Sequence, residues 1–394
     1  MYYYFSSDRP KLFQLRKIGK GERMIRVLHI TGSMNRGGIE TFIMNIYRNM
    51  DREKVQFDFL LWTDKKCDYT DEILRLGGKI YNISPRRKGI INNIKELINF
   101  FSKHKEYRIV HQHVNSLSYI TPLKIAKKNN VPIRIIHGHN IQVGGHPLNQ
   151  YLHRFNKLSI RKIATDFFAC SELAAKWLYP TKQYLAGDYK IIKNAIDIDS
   201  FTYSETVRNK IRNELNIQDK LVIGHIGRFS YQKNHDFIVD IFKEIYLRNP
   251  DSLLLLIGNG ELMDKIKNKV KSLGLDNNVI FTGVRSDISE LLQAMDIFLF
   301  PSHYEGLGIV LIEAQAAGLK CFTSLGVVPN EVNVTGQVEF IDLNKSSKEW
   351  AELILKSSNY TRYRHGSKIK AAGYDIKLVA KEMEKWYLEK YKCH

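Results

Sequence analysis

The chain has 394 residues, 44% hydrophobic and 26% charged, the balance of a globular protein with room for two domains of about 150–200 residues each. No run approaches the ~18 uninterrupted apolar residues of a membrane-spanning helix, and Cys67, Cys170, Cys321 and Cys393 are too scattered for a disulfide framework or a Cys-x-x-Cys metal site. The net charge of +19 is uneven: residues 1–200 hold 34 Lys+Arg against 17 Asp+Glu, whereas 201–394 hold 26 against 24.

A basic half joined to a nearly neutral one predicts two domains with different partners, the first meeting a lipid surface, a phosphorylated acceptor or nucleic acid. A generally basic, solvated surface is the plainer alternative. The scattered cysteines fit reduced thiols of a cytosolic protein, with Cys170 and Cys321 in the core.

The leader, residues 1–23, lacks the apolar segment of a signal peptide. It is expected to be a flexible basic-aromatic extension, or sequence upstream of a natural start at Met24. "RVLHIT" (26–31) then reads as a strand, and "TGSMNRGGIETF" (31–42) places Gly37 and Gly38 where a helix opens. Such a turn lets backbone approach a ligand, and the helix N-terminus favours an anion. It is not the spaced Gly-x-Gly-x-x-Gly of dinucleotide folds, and a simple tight turn explains it as well.

Strand-like runs follow at 57–61, 79–83, 108–114, 133–139 and 166–171, separated by helical runs at 69–76, 90–104, 117–129 and 148–163. The second half repeats the scheme, with strands at 221–227, 252–258, 278–283, 296–302 and 320–324. Alternation with short connections predicts parallel sheets covered on both faces, hence two doubly wound α/β domains facing across a cleft. The segment 194–219 reads as the linker, and helices are expected near 346–356, 359–370 and 376–392.

The unusual residues fall just after strands, where open α/β sheets bind ligands. "GRFSYQKN" (227–234) presents Arg228 and Lys233, a guanidinium fork and an ammonium suited to a diphosphate. "LIGNG" (256–260) places Gly258 in a Gly-x-Gly turn that turn geometry alone explains. "YEGLGIVLIEAQAAG" (304–318) sets Glu305 beside Gly306, Leu307 and Gly308, with Glu313 about one turn into an apolar helix. A carboxylate there needs hydrogen-bond donors, and sugar hydroxyls supply them.

Together, the Glu-x7-Glu element, the Gly-Gly loop, "GRFSYQKN" and "IIKNAIDIDSF" (191–201) resemble the retaining GT-B glycosyltransferases of family 4, the glycosyl transferases group 1, and most of all the bacterial exopolysaccharide and capsule enzymes. The resemblance runs from about Met24 to the last helix, with the motifs in the family's order. It implies a GT-B fold of two Rossmann-like domains: residues 24–195 for the acceptor, 196–375 for the nucleotide-sugar donor, and 376–394 as a helix crossing back to the first domain.

The resemblance further implies that Arg228 and Lys233 hold the donor diphosphate, Glu313 the ribose, and Glu305 the transferred sugar. The backbone of Gly306, Leu307 and Gly308 lies near sugar or phosphate, Gly37 and Gly38 close on the diphosphate, and His139 of "HGHN" stands at the reacting centre. Asn194 stays in "KNA" (193–195), where the family's proline and glycine are lost, and Gly308 replaces a frequent proline. The implied activity is transfer of a hexose from a nucleotide-sugar, UDP-linked by expectation, to a lipid-diphosphate-linked saccharide, without metal or other cofactor. The enzyme would be cytoplasmic, peripheral on the inner face of the cell membrane.

Alternatives are a sugar-nucleotide epimerase or hydrolase on the same scaffold, and a basic nucleic-acid-binding protein. No RNP-like aromatic stripe, helix-turn-helix signal or zinc finger supports the last. Asp197-Ile198-Asp199 is a formal Asp-x-Asp but lies in the linker. His111, His113, His137 and His139 have no acidic partner of matching spacing and read as cleft-lining or core histidines rather than a zinc set.

Overall fold

The structure is a computed structural model that describes residues 24–141 and 147–394; the expected extension 1–23 lies outside the described residues. The first sheet contains β1 (Ile25–Thr31), β2 (Val55–Leu61), β3 (Ile80–Asn82), β4 (Ile109–Val114), β5 (Ile133–Gly138), β6 (Asp166–Ala169) and β7 (Lys190–Ile191) in the order β3-β2-β1-β4-β5-β6-β7. The second contains β8 (Leu221–Ile226), β9 (Ser252–Ile257), β10 (Val279–Gly283), β11 (Ile297–Phe300), β12 (Lys320–Ser324) and β13 (Val338–Ile341) in the order β10-β9-β8-β11-β12-β13. Every pairing within both sheets is parallel. These are two Rossmann-like sheets, each with a topological switch point beside its first strand.

The apolar runs become strands because both faces are covered: β2, β4, β9 and β11 are buried at every position. Cys170 and Cys321 are buried and Cys393 is exposed. The edge strands β7 and β13 are short and weakly patterned, so the sequence did not announce them. The expected linker 194–219 is largely not one. Its helix Glu205–Leu215 buries Ile211 in the second domain's core and packs along the helix Ile288–Ala294. The polar run 359–370 is helical only over Gly366–Ala371.

The chain crosses between sheets at Ile196, whose N–H donates to the Tyr374 carbonyl and whose carbonyl accepts from Ile376 N–H, each at 3.0 Å. The final helix, Ile376–Lys392, then packs on the helix Gly38–Asn49 that follows β1. Ile376, Val379, Ala380, Met383 and Tyr387 thereby complete the first domain's core. No helix among the described residues is long and apolar enough to cross a membrane.

Candidate active site

Parallel strands place every strand-to-helix loop of a sheet on its carboxyl edge, and the two switch points bring the unusual residues together there. On the donor side, the loop after β8 is laced to the loop after β11. Gln232 Nε2 donates to the Tyr304 carbonyl at 3.0 Å, Asn234 Nδ2 to the Pro301 carbonyl at 3.0 Å, and His303 N–H to the Gln232 carbonyl at 2.9 Å.

This lacing brings Lys233 Nζ within 2.6 Å of Glu305 Oε1 and 4.4 Å from the Phe300 ring centre. The pair is largely hidden, with side-chain exposures of 17% and 7%. Arg228 is different: 73% exposed, it pairs with Glu261 at 3.0 Å rather than with the buried pair. Screened by water, that pair holds Arg228 only weakly.

Glu313 lies in the helix Ile309–Ala316, half-buried and without a hydrogen-bond partner among the described residues. Burial raises its carboxyl to about 7. An apolar helix that holds an unpaired carboxyl just after the loop carrying Glu305 is unfavourable for the empty protein and favourable for a ligand rich in hydroxyl donors.

The helix is capped by Gly308 at φ +77°, ψ 56°, a left-handed conformation that proline cannot adopt. Leu307 turns its side chain into the second domain's core, leaving only its backbone for a ligand. Gly306 meets the first domain: an added Cβ would lie 2.9 Å from the His139 carbonyl oxygen, and Ser171 Oγ donates to the Gly306 carbonyl at 3.0 Å.

Gly258 has a structural reason for its identity. Its φ is +137°, the position of a Cβ is taken by Gly227 backbone, and its N–H donates to the Gly283 carbonyl at 2.9 Å. Its amide is thus occupied within the protein, so a direct donor contact through that group is not available.

Across the cleft, Gly37 caps the helix Gly38–Asn49, and both glycines are exposed. An added Cβ at Gly38 meets nothing within 4 Å, so the protein itself does not require glycine there. At Gly37 the missing Cβ makes room for the Glu40 carboxylate, which burial raises to about 7. Asn194 Oδ1 is buried without a partner.

Glu40 does not stand out in the sequence, and neither does the extent to which the histidines act together. Five buried imidazoles cover one face of β1, β4 and β5. His29 Nδ1 lies 2.9 Å from His113 Nε2, and His113 Nδ1 lies 2.9 Å from His139 Nε2. Alongside, Tyr387 Oη lies 2.7 Å from His111 Nδ1, and His111 Nε2 lies 3.1 Å from His137 Nδ1. Burial lowers His29 and His139 to about 3, so both are neutral near pH 7.

Neutral imidazoles carry one proton each, so the His29–His113–His139 chain has two settings. One leaves a buried, unpartnered N–H on His29 Nε2. The other leaves only a lone pair there and turns His139 Nδ1 into an N–H donor. Each setting therefore leaves one buried N–H without a partner among the described residues, on His29 Nε2 or on His139 Nδ1, and a ligand oxygen reaching His139 would select the second. His139 sits against Phe42 of the glycine-loop helix, ring centres 5.2 Å apart. The alternating His-x-His pattern on two strands was the signal for this array.

Two sets of ring nitrogens, from His29, His111 and His113 and from His113, His137 and His139, lie within 4.8 Å of one another. They are the residues among those described that best suit a metal. The Asp-x-Asp does not: Asp199 pairs with Lys377 at 2.6 Å and Asp197 accepts from Ser200 Oγ at 2.6 Å.

Residues 36–200 match the Glycosyltransferase Family 4 model and residues 207–371 the Glycosyl transferases group 1 model. The chain is 33% identical over 341 residues to EpsF of Bacillus subtilis strain 168, which is named as a glycosyltransferase, covering 84% of this chain and 88% of EpsF. The chain belongs to the family 4, group 1 glycosyltransferases. This glycosyltransferase is also 25% identical over 315 residues to the Escherichia coli UDP-Gal:α-D-GlcNAc-diphosphoundecaprenol α-1,3-galactosyltransferase, covering 76% of this chain and 79% of that enzyme. It is 25% identical over 373 residues to the capsular polysaccharide biosynthesis glycosyltransferase CapH of Staphylococcus aureus, covering 93% and 99%. Its fold matches Anabaena HepE, solved with UDP-glucose, with TM-score 0.74, 20% identity and coverage of 93% and 100%. The enzyme is a GT-B glycosyltransferase.

Proposed function

We propose that this glycosyltransferase moves a hexose from a UDP-sugar to a lipid-diphosphate-linked saccharide in exopolysaccharide or capsule assembly, with retention at the anomeric carbon. The observation that carries the reading is the partnerless Glu313 carboxyl, on the helix that directly follows the loop holding the buried Lys233–Glu305 pair. A vicinal diol supplies the donors Glu313 lacks, and a diphosphate is the natural counter-anion for an ammonium held at the cleft. HepE, solved with UDP-glucose, and the galactosyltransferase named for UDP-Gal and a diphosphoundecaprenol acceptor support donor and acceptor class; CapH supports the pathway.

In this reading Glu313 takes the ribose hydroxyls and Lys233, Arg228 and the backbone of 306–308 the diphosphate. Glu305 and His139 Nδ1–H contact the transferred sugar, Gly37 and Gly38 close over the phosphates, and Asn194 borders the cleft. As the glycosidic bond breaks, charge gathers on the departing diphosphate, and Lys233 stabilises it where water is excluded. The departing phosphate oxygen accepts the acceptor proton on the face it leaves, so no side-chain base is required. This reading calls for no metal, because Lys233 and Arg228 are assigned the diphosphate charge that a metal would otherwise balance. The enzyme would work on the cytoplasmic face of the membrane without nucleic acid. A thermal-shift panel of UDP-, GDP- and ADP-sugars, then NMR of the product made with the best donor, tests it. Stabilisation by a GDP- or ADP-sugar alone, or an inverted product, would refute it.

A further inference from the structure

The helix Leu148–Ser159, after β5, is built inside out. Its buried face is polar. His153 Nδ1 accepts from Leu117 N–H at 3.1 Å, Asn156 Nδ2 donates to the Leu117 carbonyl at 2.7 Å, and Asn156 Oδ1 accepts from Lys124 Nζ at 3.1 Å. Lys157 Nζ donates to the Trp177 carbonyl at 2.6 Å, and the His153 ring stacks on Trp177 with centres 4.5 Å apart. The opposite face carries Tyr151, Phe155 and Leu158, exposed at 68%, 68% and 81%. At 100° per residue these three fall within one narrow stripe.

This orientation is fixed, because rolling the stripe inward would break the polar contacts beneath. Ordinary surface helices do the reverse, and contiguous exposed apolar side chains of this size mark a surface that meets something.

The surroundings say what. Residues 84–165 contain fifteen Lys and Arg against two acidic residues, Glu96 and Glu106. Arg154 flanks the stripe, and Arg86 joins it to the basic run Arg86–Lys88 by donating to Asn149 Oδ1 at 3.0 Å. Two further apolar side chains, Ile90 and Ile91, exposed at 60% and 72%, open the helix Ile90–Lys103 directly after that run. Both helices start at the carboxyl edge of the first sheet, the edge that also carries Gly37, Gly38 and His139.

We infer that this face is a bilayer-docking surface: Tyr151, Phe155, Leu158, Ile90 and Ile91 enter the interface of an anionic membrane while Arg87 and Arg154 contact lipid phosphates. A protein partner would call for an apolar patch with an evenly mixed rim, whereas this rim is predominantly basic, with Lys88 paired to Asp64 at 3.2 Å and Arg86, Arg87 and Arg154 beside it, which matches a sheet of anionic headgroups. The inference rests on the proposed lipid-linked acceptor only for its purpose, which is to present the cleft edge to a saccharide whose lipid stays in the bilayer.

Flotation of the full chain with phosphatidylcholine vesicles containing about one-third phosphatidylglycerol tests this. Wild type should float, and should not with phosphatidylcholine alone. Phe155→Ser with Leu158→Ser should lower partitioning about tenfold or more at any salt, and Arg87→Ser with Arg154→Ser should remove the salt-sensitive part. These side chains are exposed, so circular dichroism and the thermal shift with UDP should stay as in wild type. The inference is overturned if wild type does not float, or if Phe155→Ser with Leu158→Ser floats equally well. It is also overturned if that variant instead turns an oligomer into a monomer without lipid. A UDP shift that persists without flotation removes the docking surface and leaves the donor reading standing; flotation without a UDP-sugar shift does the opposite.

Discussion

Lys233 and Glu305, seventy-two positions apart in the chain, form a 2.6 Å ion pair at the mouth of the cleft, with Phe300 beneath the ammonium. The pair holds the lysine side chain in one orientation against the loop after β11. It also means that the two residues cannot be altered independently. Lys233→Ala should lower kcat on the order of 10²–10³-fold and also destabilise the fold by about 3 kcal/mol, because the buried Glu305 loses its counter-ion. Adding Glu305→Gln should recover much of the stability and none of the turnover. Urea unfolding and steady-state kinetics of the two variants check this; an unchanged kcat in Lys233→Ala would remove the lysine from the reaction.

The raised Glu313 carboxyl gives a pH signature with a definite sign. The folded protein holds an extra proton between the ordinary carboxyl value of 4.5 and about 7, so the free enzyme loses stability as pH rises through that window. Hydroxyl donors favour the ionised form, so donor affinity should rise with pH and level off above 7, falling by up to about tenfold per unit below it. Titration calorimetry with UDP at several pH values reads this. Glu313→Gln should flatten the Glu313 part of the profile, leaving the ionisation of the UDP terminal phosphate at about pH 6.

Two glycines should behave oppositely. Gly38→Ala places a methyl in open space, so stability should hardly change while donor affinity falls about tenfold through crowding of the phosphate path. Gly308→Ala must hold φ +77° with Phe300 3.3 Å from its Cβ, costing about 1–2 kcal/mol, with Gly308→Asn milder. Thermal melts with and without UDP separate the two.

The histidine chain predicts action at a distance. His113→Leu leaves His139 Nε2 unpaired and removes the group that sets its tautomer, so kcat should fall about tenfold or more with KM little changed. His29→Leu, at the far end of the chain, should be milder. Nitrogen NMR of His139 should show one dominant tautomer in wild type and a mixture in His113→Leu.

Much of this protein is legible in its sequence for local reasons. Apolar runs such as 252–257 and 297–300 can only be buried strands, and alternation with helices leaves parallel sheets as the outcome. Glycines and charged residues immediately after strands mark the carboxyl edges, which is why Arg228, Lys233, Glu305 and Glu313 stand out. Other features depend on residues far apart. The Lys233–Glu305 pair, the Gly306 contact with His139 and the close approach of Gly258 to Gly227 exist only because loops converge. Helix 205–215 looked like a linker because its polar sequence hides the one face that packs.

The helix 148–159 shows the division plainly. Its amphipathic periodicity is written in the sequence, but periodicity does not say which face turns inward. That was decided by Leu117, Lys124, Trp177 and Arg86, which hydrogen-bond the polar face and leave the apolar one outside. Local sequence determines what an element is, because propensity and pattern act over a few residues; what each side chain meets is determined only when the whole chain has closed around it.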